Sequence, residues 1–165
     1  AFRITENLLV LWGFYMATVY PLLSKFLKQK RKNAWKLWRN SVKLALVGGG
    51  LMVIFGFIFS PLAIQILGGK EFKESIVVFR ILLFSLPLFF LNNLFFHLFL
   101  VREKLKCPLI ATGSSVVLNL ILNLIFIPNY GYLAAAYNTL IAQAYIFLVY
   151  FLFSRKDENF GYSRR

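Results

Sequence analysis

The sequence predicts an all-α polytopic membrane protein, and three observations carry that expectation. Its 165 residues are 59% hydrophobic with a mean hydropathy of +0.69, whereas a soluble domain is roughly 45–50% apolar. The excess lies in five long blocks, at about 8–24, 44–67, 76–101, 107–127 and 131–153. Crossing the hydrocarbon core takes about 20 apolar residues. Four blocks satisfy that comfortably, and the first is shorter because Pro21 interrupts its end. The third observation is where the charge sits. The net charge is +13, and Lys and Arg cluster in alternate connections.

Lys and Arg mark cytoplasmic loops in membrane proteins. One side of the five-span arrangement carries Lys25, Lys28, Lys30, Arg31, Lys32, Lys36, Arg39 and Lys43. The same side carries Arg102, Lys104 and Lys106 after the third block, and Arg155, Lys156, Arg164 and Arg165 in the tail. Only Arg3, Lys70, Lys73 and Arg80 fall on the other. This places the protein in the cell (cytoplasmic or inner) membrane, with residue 1 outside and the tail in the cytoplasm. The basic balance is then topological, its partner is the lipid bilayer, and no nucleic acid is expected. An odd number of spans opening on Ala1 reads as part of a longer protein.

The first span, LLVLWGFYMATVYPLLS, leads into the basic segment SKFLKQKRKNAWKLWRNSVK. Trp35 and Trp38 among its cations suggest an interfacial amphipathic helix on the headgroups, or an ordinary loop with aromatic anchors. The second span contains Gly48, Gly49, Gly50 and Pro61, which serve either close helix packing or a hinge. The connection LGGKEFKES has the composition of a turn. The third span holds Arg80, Pro87, Asn92, Asn93 and His97; Asn93 and His97 share a face by their i,i+4 spacing. The fourth opens on Cys107-Pro108, a favoured start for a helix. Its Thr112, Ser115, Asn119 and Asn123 form a polar stripe that should face helices or water rather than lipid. The fifth carries Ala134 to Ala136, Asn138 and Gln143. The one-lobe domain covers residues 1–154, and a polar tail follows at 155–165.

The carboxylates exclude several chemistries. Glu6, Glu71, Glu74, Glu103, Asp157 and Glu158 all fall in loops or at span ends. None lies at bilayer depth to relay protons or sodium, and no pair is placed to hold Mg²⁺ on a phosphate. His97 is the single histidine and Cys107 the single cysteine, so no catalytic triad, disulfide or Cys-based metal site can be assembled. We expect no enzyme, no cofactor and no metal. The binding candidates are Arg80, Asn92, Asn93, His97, Asn119 and Asn123. Arg80 suits an anionic phosphate or snorkels to the interface. His97 is either a proton-sensitive gate or a packed histidine. The asparagine stripe binds sugar hydroxyls or joins helices.

Three segments carry a family resemblance. NLILNLIFIPNYGYLAAAYNT (119–139) is similar to the pattern N-x-x-x-N followed by I-P-x-x-G-x-x-G-A-A. Asn119, Asn123, Ile127, Pro128 and Gly131 match it, with Ala134 in place of a glycine. VYPLLSKF (19–26) and ILGGKEFKESIVVFRIL (66–82) follow the same family in the same order. The chain thus resembles polysaccharide (O-antigen type) flippases of the multidrug/oligosaccharidyl-lipid/polysaccharide exporter superfamily. The resemblance implies two six-helix lobes around a cavity, working by alternating access on a polyprenyl-diphosphate-linked oligosaccharide. These five spans would form most of the C-terminal lobe, partnered by an N-terminal lobe outside this sequence. A lipid II flippase or multidrug exporter of the same superfamily is the nearest alternative. A membrane-embedded glycosyltransferase or ligase of the same pathway is the alternative from another class.

Overall fold

A computed structural model describes residues 2–29, 31–68 and 75–156. The expected outer turn at 69–74 and most of the polar tail lie outside the described residues. Four helices follow in order: α1 (Phe2–Gln29), α2 (Arg31–Gly68), α3 (Ser75–Val101) and α4 (Lys106–Lys156). All four are long and apolar enough to cross a membrane. Five spans were expected, and the last two belong to the single 51-residue α4.

A straight helix of that length would run about 76 Å, more than twice the hydrocarbon core. It is not straight. Gly131 breaks it with φ 58° and ψ −142°, a backbone region that essentially only glycine adopts. The halves then run back along each other, so that Ser115 Oγ reaches the Ala142 carbonyl at 3.4 Å. Residues that far apart in one straight helix would lie about 40 Å apart. The reversal is confined to Gly131; Pro128, Asn129 and Tyr130 remain helical.

The basic segment differs from its expected form. It is neither a separate interfacial helix nor a loop: its start is the last turns of α1, to Gln29, and from Arg31 it is the first turns of α2. The reason is a stripe of small and apolar side chains that the flanking cations obscure. Ala34, Trp38, Ser41 and Ala45 are buried at helical spacing, and Gly49, Ser60 and Ile64 continue the line. That stripe lies on α3. Trp38 meets Phe95 edge-on at 5.2 Å. A Cβ on Gly49 would stand 3.0 Å from Pro87 Cα, and one on Gly56 2.7 Å from a Leu83 methyl. Gly48 and Gly50 face open space. Of the three glycines, Gly49 is the one that lets the helices touch, as small residues do in lipid.

Helix α1 also continues through Pro21 to Gln29, because one proline removes one hydrogen bond and need not end a long helix. Its Trp12, Met16, Val19 and Leu23 are buried. Trp12 stacks on Phe90 at 4.4 Å, and Tyr20 meets His97 edge-on at 5.3 Å, so α1 and α3 run parallel. Tyr15 and Ser41 hydroxyls, 2.7 Å apart, tie α1 to α2. Helix α3 packs against each of the other three. It is the centre of the fold, while apolar faces of α2 and α4 remain exposed, as lipid-facing surfaces are.

Candidate functional site

The six candidate residues fall in three places. Arg80 sits just over one turn into α3, half-buried, opposite Ser60 of α2. Its Nε donates to Ser60 Oγ at 2.8 Å, and its guanidinium lies over the Phe57 ring at 4.2 Å. Ser60 Oγ in turn donates to the Phe57 carbonyl at 2.8 Å. The contact fixes the plane of the guanidinium and leaves its terminal nitrogens without an acceptor among the described residues. Ser60 had a readable signal: antiparallel helices turning near residue 70 place positions 60 and 80 side by side.

Asn92, Asn93 and His97 form the second place, roughly three to five turns further along α3. Asn92 Nδ2 donates to both the Gln143 carbonyl at 2.9 Å and Gln143 Oε1 at 2.8 Å, pinning α3 to α4. Its Oδ1 is buried and has no donor, and the same holds for Asn93 Oδ1 and for Trp12 Nε1 as a donor without acceptor. Buried polar atoms are nearly always paired, and an unmade bond costs about 1–3 kcal/mol. Among the described residues these three atoms, on α1 and α3, are buried side-chain polar atoms with no partner. His97 Nδ1 pairs with the Asn93 carbonyl at 2.8 Å, one turn back, and its ring packs on Tyr20 and Phe96.

The third place is the α4 hairpin, where the polar stripe is closed on itself. Asn123 Nδ2 donates to Asn119 Oδ1 at 2.8 Å, and Asn138 Nδ2 to Asn123 Oδ1 at 2.9 Å. Asn119 Nδ2 reaches the Asn138 carbonyl at 3.4 Å. One turn further down, Tyr145 donates to Ser114 Oγ at 3.0 Å. The ladder joins the two halves of α4 on either side of Gly131. Asn138, absent from the expected site, is its middle rung.

The chain matches the lipid II flippase MurJ family over residues 3–164. It belongs to that family. This is the nearest alternative named above, within the superfamily that the three sequence segments resemble. The capsular polysaccharide biosynthesis protein CapF of Staphylococcus aureus is 29% identical over 170 residues. That alignment covers 94% of this chain and 40% of the relative, so the chain spans well under half the length of that curated protein. No solved structure matches the chain. No group of histidine, cysteine and carboxylate side chains that could hold a metal ion occurs among the described residues.

Proposed function

We propose that the intact protein translocates a polyprenyl-diphosphate-linked oligosaccharide across the cytoplasmic membrane by alternating access, for envelope or capsular polysaccharide biosynthesis. The membership in a flippase family across nearly the whole chain carries this reading. The likeness to a capsular polysaccharide protein supports an oligosaccharide cargo. The chain would supply five spans of a six-helix lobe, with the two halves of α4 as separate crossings and the lysine-rich ends in the cytoplasm. A second lobe would complete the cavity. No step of this process needs an enzyme's nucleophile or a cofactor.

In this reading the substrate contacts come from α3. Arg80, its plane held by Ser60, presents its two terminal nitrogens to the diphosphate, a geometry that guanidinium favours. Asn92, Asn93 and His97 meet sugar hydroxyls, which supply the donors that the buried amide oxygens lack. Asn119 and Asn123 hold the hairpin that frames them.

A second reading has a specific observation behind it: the family is described by lipid II. Genetics separates the two. Deleting the gene should remove surface polysaccharide while growth continues, and Arg80→Ala should do the same at unchanged protein level. Rescue of cells depleted of their lipid II flippase, with polysaccharide unaffected, would overturn the oligosaccharide reading in favour of lipid II. Normal polysaccharide in Arg80→Ala cells would remove Arg80 from the path.

A further inference from the structure

The junction between α3 and α4 forms an open groove of about 500 Å³. Among the described residues its rim carries Lys104, Lys106 and Lys156 against one carboxylate, that of Glu103, so this part of the lining is net positive. All three lysines are solvent-exposed. Its walls include the rings of Phe99 and Phe153. The groove lies where α3 ends at Val101, α4 begins at Lys106 and the described part of α4 stops at Lys156. In helices that cross a membrane, such ends stand near the lipid headgroups. The opening turn of α4 adds amides with no intrahelical acceptor and the positive end of its dipole.

We propose that this groove binds the phosphate headgroup of an anionic glycerophospholipid. Three ammonium groups suit a phosphate, and basic pockets at the ends of membrane helices are suited to acidic headgroups. The phenylalanine walls suit the glycerol and first acyl carbons, which a free phosphate lacks. The site lies about 29 Å along α3 from Arg80 and about 9 Å from Asn93, counted to Phe99, and it stands whether or not the transport reading does. Its occupancy would fasten the α3–α4 junction to the membrane surface.

Native mass spectrometry of the intact protein in mild detergent tests this, with phosphatidylglycerol and phosphatidylcholine offered at equal concentration. Phosphatidylglycerol should be retained preferentially. Replacing Lys104, Lys106 and Lys156 together by Gln should weaken its retention by about fivefold per lysine removed. Phosphatidylcholine adducts should not change, which reports an intact fold in the same spectrum. A control triple, Lys25, Lys28 and Lys36→Gln, removes three exposed lysines elsewhere and should leave retention as it was. Equal loss in both triples would mean a diffuse charge cloud and overturn the site. So would absence of any phosphatidylglycerol preference, or its displacement by excess inorganic phosphate.

Discussion

Helix α3 and the α4 hairpin carry similar polar residues and use them in opposite ways. Helix α3 is largely buried within the protein, whereas α4 exposes most of its apolar side chains. The buried helix leaves its amide oxygens at Asn92 and Asn93 without donors. The hairpin, exposed on its outer faces, pairs the half-buried Asn119 and Asn123 with the buried Asn138. Solvation explains the contrast. Between only two helix halves, with lipid beyond them, an unpaired amide would have neither water nor further protein to turn to, so these amides close on each other. An unpaired amide inside a packed bundle can await a ligand, at a cost in stability that function sites commonly carry. The difference teaches that asparagine in a membrane helix has no fixed meaning; what surrounds the helix decides it.

The comparison can be broken at several points. The largest effect should come from Gly131→Val. The β-branched residue cannot adopt φ 58°, ψ −142° without a cost of about 3 kcal/mol, and the asparagine ladder opens with the turn. Thermal unfolding of the detergent-solubilised protein should show a correspondingly large fall; an unchanged midpoint would mean the hairpin does not depend on this turn.

Next in size is Gly49→Leu. The side chain would enter the Pro87 backbone, and overpacking of this kind costs about 1–3 kcal/mol. Gly48→Leu and Gly50→Leu point into open space and should change stability by less than about 0.5 kcal/mol. Equal effects at all three positions would show that the α2–α3 crossing is not set by Gly49.

The smallest effect lies at the junction of the two regions. Glu103 ends α3 with φ 58°. Its amide bonds to the Leu100 carbonyl at 3.0 Å, and the Lys104 amide to that of Phe99 at 3.0 Å. This is a Schellman cap, whose left-handed position favours glycine. Glu103→Gly should therefore stabilise by up to about 1 kcal/mol, read as a rise in the same unfolding midpoint. A fall would show that the Glu103 side chain holds the loop by itself.

Much of the fold was legible. The apolar blocks locate all four helices, and the small residues at Gly49 and Ala134–Ala136 lie at helix contacts. What escaped was continuity and register. Charged residues at 31–43 hide the Ala34, Trp38, Ser41, Ala45 stripe, because the same turns carry cations on one face and small, buried side chains on the other. At the site, the i,i+4 spacing of Asn119 and Asn123 announced a pair. The rung from Asn138 and the bond from Asn92 to Gln143, 51 residues away, depend on how helices align. That alignment is set by Gly131 and by side-chain volumes across the interface, which no local pattern encodes. The donorless oxygens of Asn92 and Asn93 are likewise a property of the packed bundle.

One paired measurement tests the division of labour between α3 and α4 most directly: unfolding midpoint and translocation of lipid-linked oligosaccharide into proteoliposomes, for Asn93→Leu and Asn123→Leu of the intact protein. Removing the donorless Asn93 oxygen should leave the midpoint unchanged or slightly raised and slow translocation about tenfold, the worth of one lost substrate hydrogen bond. Removing Asn123 should cost about 1–2 kcal/mol through two broken rungs and lower the midpoint by several degrees. Translocation per folded molecule should be nearly unchanged. If instead Asn93→Leu unfolds the protein while transport per folded molecule persists, or Asn123→Leu abolishes transport at full stability, the assignment of contact to α3 and support to α4 is wrong.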